Sequence, residues 1–404
     1  MANAMAATAD DWASSYYNPA GGGLQFRPTY GVGYLITGSQ ITSIGPQAPD
    51  LDSTQGLTFG TNLPLPLGGF MKDRLAFGMA LFLPKDLMLG IEVPYPDDAQ
   101  YVLLQNAGRS MHEAACLGLR LMDGLAVGGG AQMYVNTAGE LNASVQAGGT
   151  IQAMVGEELL MTISPTFGLL VKPEAFWAPL HGLGFGLVFR DRFFTRYDIP
   201  VNSYLNSVPF LVQFQATSLY TPRQYVAGLS YAWKQWRWEV DLGFNEWSDF
   251  PDPNLHIQVN LKIPILPVDF QNSIVRPPHF HDTLTPRAGM EVTALSVNEG
   301  DLRVRTGYTY EPSPVPPQTG YTNYLDTDRH IAGLSLGWEW SGVSIYRFQA
   351  PVNIDLGLQA QYLTPRITYK NDDVDMNNPG YPKIGLQGWL FATGLTFSSY
   401  FDYE

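Results

Sequence analysis

The sequence predicts an all-β protein, a transmembrane antiparallel β-barrel, and three observations carry that prediction. Segment after segment alternates apolar and polar residues with period two, as a strand must when one face meets hydrocarbon and the other a polar lumen. Charged residues make up 15% of the 404 positions and aromatic residues 13%, whereas a soluble domain carries roughly 25% charge. No stretch approaches the roughly 20 consecutive apolar residues of a membrane-crossing helix. The mean hydropathy of -0.07 is what results when an apolar exterior offsets a polar interior.

The strongest alternation lies in the C-terminal two-thirds. Residues 236–244 set Trp236, Trp238, Val240, Leu242 and Phe244 against Arg237, Glu239, Asp241 and Gly243, and the charged set cannot face lipid. Residues 302–310, 352–362 and 255–263 repeat the scheme, with Arg303 and Arg305, Asn353 and Asp355, and His256 and Lys262 on their polar faces. Weaker copies fall at 30–36, 75–83, 115–121, 125–135, 183–190, 225–233, 288–294 and 332–340, where Gly or Ala often takes the inner face and leaves room inside. The last strand, 389–401, places Trp389, Phe391, Leu395, Phe397 and Phe401 outward. Outward aromatic residues near strand ends suit the membrane interface. Met122-Asp123-Gly124 and Lys234-Gln235 read as tight hairpin turns. Short turns alternating with longer segments match periplasmic turns and external loops.

The first 26 residues break the pattern. Residues 4–13 are Ala-rich around Asp10-Asp11, and Tyr16-Tyr17-Asn18-Pro19-Ala20 and Gly21-Gly22-Gly23 follow. They predict a short helical or irregular piece and a rigid turn, which either hangs free or sits within the barrel. Residues 1–8 have neither the basic start nor the apolar core of an export signal, so the chain is read as beginning inside the mature protein. The net charge of -14 argues against a nucleic-acid partner. The single cysteine, Cys116, is read as a small buried filler.

At this point the chain resembles the FadL/TodX family of outer-membrane transporters for hydrophobic compounds, nearly end to end. The first mark comprises Asp10-Asp11, Asn18-Pro19-Ala20 and Phe26-Arg27-Pro28-Thr29-Tyr30. The second is Trp247-Ser248-Asp249-Phe250. The third is Arg305-Thr306-Gly307, then Ser313-Pro314-Val315-Pro316, then Asp326-Thr327-Asp328-Arg329. The resemblance implies a barrel of about 14 strands in the bacterial outer membrane. Residues 1–26 would form a hatch, shortened at its start, and 27–404 the barrel. It also implies passive uptake of fatty acids or hydrocarbons that leave sideways through the wall, a route that spares each buried CH₂ roughly 0.8 kcal/mol of contact with water.

On the family pattern Asp10, Asp11, Asn18, Pro19 and Ala20 belong to the hatch, and Pro84 falls at the expected kink of the third strand, 75–93, beside the lateral opening. Proline lacks the donor a ladder needs, although Pro84 could equally end its strand. Tyr101, Val102, Leu103 and Leu104, in the loop 95–108, match an external loop that captures substrate, or pack in a loop core. Phe280, His281, Arg287, Arg303 and Arg305 are the candidate lumen substrate-binding residues, His281 standing where fatty-acid members carry a lysine. A neutral imidazole is a poor counter-ion at pH 7, which tilts the expectation toward neutral compounds. Lumen arginines can instead pair with acids such as Glu239, Asp241, Glu291 and Asp355.

His279, His281 and Asp282 are too weak a set to predict a metal, and no cofactor is expected. The expected partners are a hydrophobic solute, outer-membrane lipid and lipopolysaccharide, with the chain a monomer. No nucleophile–base motif stands out, so catalysis is not expected. The alternatives are a general porin for polar solutes or, further off, an outer-membrane enzyme or adhesin.

Overall fold

The structure is a computed structural model that describes residues 1–45, 51, 53–85, 97–104, 111–145, 151–205, 208–260, 277–345 and 348–400. The period-two segments become strands. In chain order these are β1 (Thr29–Ile44), β2 (Gln55–Pro64), β3 (Leu75–Pro84), β4 (Met111–Met122), β5 (Leu125–Val145), β6 (Ile151–Val171), β7 (Leu183–Arg190), β8 (Phe193–Leu205) and β9 (Val208–Thr221). There follow β10 (Arg223–Trp233), β11 (Trp236–Glu246), β12 (His256–Asn260), β13 (Thr283–Val297), β14 (Gly300–Glu311), β15 (Arg329–Ile345), β16 (Phe348–Tyr369) and β17 (Lys383–Tyr400).

Fourteen of these strands close an antiparallel ring. Each of β1 to β6 pairs with the next, β7 pairs with β10, β10 with β11, β11 with β13, and each strand thereafter with the next until β17 returns to β1. Closure leaves the ring no unpaired edge, the condition for a sheet to cross hydrocarbon. Strands β8, β9 and β12 lie outside the ring, paired in the order β8–β9–β12, with β8 also meeting β5 in parallel at Val201 and Asn202. The alternation at 255–263 therefore does not mark a wall strand. Its described part forms β12, because any strand with two unlike faces alternates; 261–263 lie outside the described residues.

Tight turns such as Asp123-Gly124, Lys234-Gln235 and 298–299 sit at the end where β1 begins and β17 finishes, here the lower end, together with the longer 65–74 and 172–182, while 312–328 and 370–382 sit opposite. Gly124 (φ 73°) and Lys234 (φ 53°) take the left-handed conformation that two-residue hairpin turns need. The outer face is apolar all round. Val32, Tyr34 and Ile36 of β1, Leu229 and Tyr231 of β10, Val240 and Leu242 of β11, Leu334 and Leu336 of β15, Leu356 and Leu358 of β16 and Leu395 and Phe397 of β17 are all exposed. Burying a Leu or Phe side chain is worth about 1.5–3 kcal/mol, so this face is built for hydrocarbon. Trp233 and Trp340 stand exposed at the lower end, where an interface would hold them.

Two apolar clusters cover the upper end. Ala99, Tyr101 and Leu325 pack with Leu363, Ile384 and Leu386 in one; Phe250, Phe280, Val315 and Tyr324 pack with Tyr220 in the other.

Candidate functional site

The lumen is occupied by the chain's own first 24 residues. Asp11 Oδ1 accepts the Ala13 N–H (2.8 Å) just ahead of the single-turn helix α1 (Ser14–Tyr17), which Asn18-Pro19 ends before a 3-10 turn at Gly21–Gly23. Ala4, Ala6, Ala7, Ala9 and Ala20 are all buried, and their size lets the segment's backbone come close to the wall. The wall answers with glycine. A β-carbon at Gly128, Gly168, Gly186 or Gly307 would fall well inside contact distance of Pro19, Asn18, Ala6 or Met1 respectively, and one at Gly31 or Gly60 would strike the Trp12 ring.

The firmest attachment is a pair of carboxylates. Glu239 and Asp241 stand two apart on the inner face of β11, each only 1% exposed. Asp241 Oδ2 accepts the Met5 and Ala6 N–H groups (3.0 and 3.2 Å), and Glu239 accepts the Ala7 N–H (2.6 Å) and the Thr8 hydroxyl. Each amide so bonded would otherwise be an unpaired buried donor. Elsewhere the Asn18 side-chain amide donates to Ala6 O (2.6 Å) and Leu169 O (3.2 Å), Arg190 donates to Tyr16 O and Tyr17 O (2.7 and 3.0 Å), and Thr309 donates to Ala2 O (2.6 Å). Asp10 pairs with Arg237 at 3.4 Å. Partial burial and the neighbouring Asp10 push the Asp11 carboxyl up to about 6.

The other predicted site residues separate into groups. Arg305 lies between Glu291 and Asp355, and Arg303 pairs with Glu339 at 2.9 Å, so both are already matched by acids. Arg287, opposite Asp241 in the β11–β13 register, has its Nε buried without a partner. Phe280 is buried in the upper cluster, stacked on Phe250 with centroids 4.4 Å apart. His281 is exposed beside it and donates its N–H to Pro314 O (3.0 Å). Tyr101 is buried, and Val102, Leu103 and Leu104 are half-buried against the two upper clusters.

Pro84 is the last residue of β3, opposite Gly56 of β2. The β3–β4 ladder is unbroken from Leu75↔Leu119 to Phe82↔His112. The rest of the segment 86–93 lies outside the described residues. Cys116 is buried on β4. Above the segment on this side, Tyr16, His112, Tyr134 and Phe193 follow one another ring to ring, with centroids 5.6, 4.3 and 3.9 Å apart.

Between the segment and the opposite wall is a cavity of about 290 Å³, bounded by Met5 and Tyr17 on one side and by β1 and β15 to β17 on the other. The small inner residues of the sequence imply room inside. The Glu239–Asp241 clamp is not legible there, because its partners are backbone amides, which leave no residue signature.

A closed, apolar-sided ring with its own N-terminal segment inside is a membrane-spanning β-barrel of the multi-pass kind found in outer membranes. Similarity to solved structures agrees. A FadL homologue of Pseudomonas aeruginosa is 13% identical with a TM-score of 0.63, over 99% of this chain and 96% of that one. The toluene transporter TodX of P. putida is 12% identical with a TM-score of 0.54, over 97% and 94%. The monoaromatic hydrocarbon channel CymD is 14% identical with a TM-score of 0.52, over 98% and 95%. These likenesses show a FadL/TodX-type fold. No protein-family model matches the chain, and neither does any curated protein.

Proposed function

We propose that the chain is an outer-membrane channel for passive uptake of hydrophobic small molecules, long-chain fatty acids or hydrocarbons, with exit sideways into the membrane. The observation that carries this reading is the clamped segment in the lumen. A general porin needs a standing aqueous bore, whereas residues 1–24 fill space against the wall and are held by two buried carboxylates. Residues 1–26 would then act as the hatch, and the likeness to transporters of hydrophobic compounds supports the choice of solute.

A substrate would first meet the upper apolar clusters, where Tyr101, Val102, Leu103 and Leu104 pack with Phe280 and Tyr324. Capture in that case means insertion between packed loops. The aromatic run from Phe193 to Tyr16 would guide an apolar solute down the β4–β5 side. Since β3 is paired on both sides up to Phe82, a lateral opening beside Pro84 would have to lie above that level. For an acid substrate Arg287 is the best-placed counter-ion, because its Nε lacks a partner while Arg303 and Arg305 are paired; His281 would contribute at the upper mouth.

The test is uptake of radiolabelled hexadecane and oleate by cells whose only hydrophobic channel is this chain, with single-channel conductance recorded in planar bilayers. Uptake with little steady current is expected. A large constant conductance without uptake of either probe would establish a porin instead.

A further inference from the structure

Two groups of inward glycines contrast. Gly128, Gly168, Gly186 and Gly307 are small because the N-terminal segment occupies the place where a side chain would be. Gly357 of β16 and Gly394 of β17 face each other in register and touch nothing comparable. A β-carbon at Gly357 would have Gly394 O as its neighbour at 3.8 Å, and one at Gly394 would meet Tyr34 O at 3.7 Å and Leu35 Cδ1 at 3.8 Å, all ordinary contacts. Both sit in regular strand where β-branched residues are ordinarily favoured and glycine is unfavourable by roughly 0.5–1 kcal/mol. Neither packing nor backbone conformation accounts for glycine at these two positions.

What the two glycines leave open is the cavity of about 290 Å³. Its apolar walls are the Met5 thioether, the Tyr17 ring, Leu35 and Ala392, and its polar points are Asn3, Ser335, Asp355, Gln359 and Thr396. Asp355 is already held by Arg305, and the mixed lining suits a compact molecule with an apolar body and a polar edge. An apolar cavity of about 150 Å³ holds benzene, so this one has room for a fused-ring hydrocarbon or a bent length of chain.

We infer that Gly357 and Gly394 set the upper size limit of the solute this barrel accepts, the cavity between them and the N-terminal segment being its holding place. The inference rests on the proposed uptake function and adds the determinant of size. Val at either position would project into the cavity from a wall that tolerates it.

The experiment compares G357V and G394V with the parent chain in cellular uptake of labelled toluene and phenanthrene, alongside equilibrium dialysis of labelled phenanthrene against the purified protein. Both variants should fold, with unchanged or slightly raised melting temperatures. Phenanthrene uptake and binding should fall about tenfold, equivalent to roughly 1.4 kcal/mol, while toluene uptake changes less than about twofold. Equal effects on the two probes, or no effect on phenanthrene in folded variants, would overturn the size filter, as would a parent protein that does not bind phenanthrene. Binding that responds to the variants without any uptake by the parent would sustain the filter and defeat the uptake reading.

Discussion

The two sides of the lumen use the same residue to opposite ends. On the side of β5 to β7, β10 and β11, glycines admit the N-terminal backbone, and Glu239 and Asp241 tie its amides down. On the side of β16 and β17, Gly357 and Gly394 face empty space. A small inner residue therefore says nothing alone about whether a barrel is filled or hollow. The difference comes from what stands opposite: on the clamped side Glu239 and Asp241 accept the segment's backbone N–H groups.

The comparison is broken most forcefully by filling the crowded side. Gly128→Val with Gly186→Val puts side chains where Pro19 and Ala6 lie, and overpacking costs about 1–3 kcal/mol at each site. The segment should leave the wall, becoming open to proteinase K and raising bilayer conductance while the barrel still melts as a folded unit. Unchanged conductance and protection would mean that the two sides do not differ as described. The effect should also vanish when the same change is made at Gly394.

Next in size is removal of the clamp. Glu239→Ala with Asp241→Ala leaves the Met5, Ala6 and Ala7 N–H groups buried and unpaired at about 1–3 kcal/mol per group, partly offset by no longer burying two carboxyl groups. Amide exchange at those three residues should speed up by at least about tenfold, the equivalent of roughly 1.4 kcal/mol. Exchange at parental rates would mean that the carboxylates are bystanders.

The smallest expected effect is that of Asp11→Asn. The Asp11 carboxyl is pushed up to about 6 in the docked segment, against about 3.9 when free. Docking is thus unpenalised below pH 4, weakens as the pH rises from 4 to 6, and carries the full cost above 6, because the docked state binds the extra proton across that window. Asn removes that cost. Proteolysis of residues 1–24 should slow at pH 7 relative to the parent by an amount equivalent to about 1–2 kcal/mol, with no difference at pH 4. A difference at pH 4 equal to that at pH 7 would assign the effect to packing.

Much of the ring was legible in the residues. The alternation at 236–244, 302–310 and 352–362 lies within β11, β14 and β16, and 183–190 is β7 itself. Strand β6 went unseen for a physical reason. Pro165 interrupts its alternation and reads as a breaker, yet its carbonyl accepts the Asp191 N–H just beyond the last β6–β7 pair, Thr166↔Arg190. The missing amide hydrogen therefore falls where that ladder stops.

The inner charges were legible in kind but not in partner. Opposite charges on inward faces implied pairs, and Arg305 has two. Glu239 and Asp241 looked the same and instead hold a backbone. The loop residues 101–104 showed only that they are apolar. Their place in two clusters depends on Phe250, Phe280, Tyr324 and Ile384, which lie far along the chain.

The docked segment also dictates an order of events. Its Met5 N–H is bonded across 236 positions and Ala2 O across 307, and the seam beside it joins β1 to β17. Residues far upstream of β17 are thus enclosed by a wall that cannot close until β17 pairs with β1. Contacts this distant in sequence are the slowest a chain makes, so insertion, closure of the seam and docking of the segment are steps of one late event, with the barrel assembled around its contents.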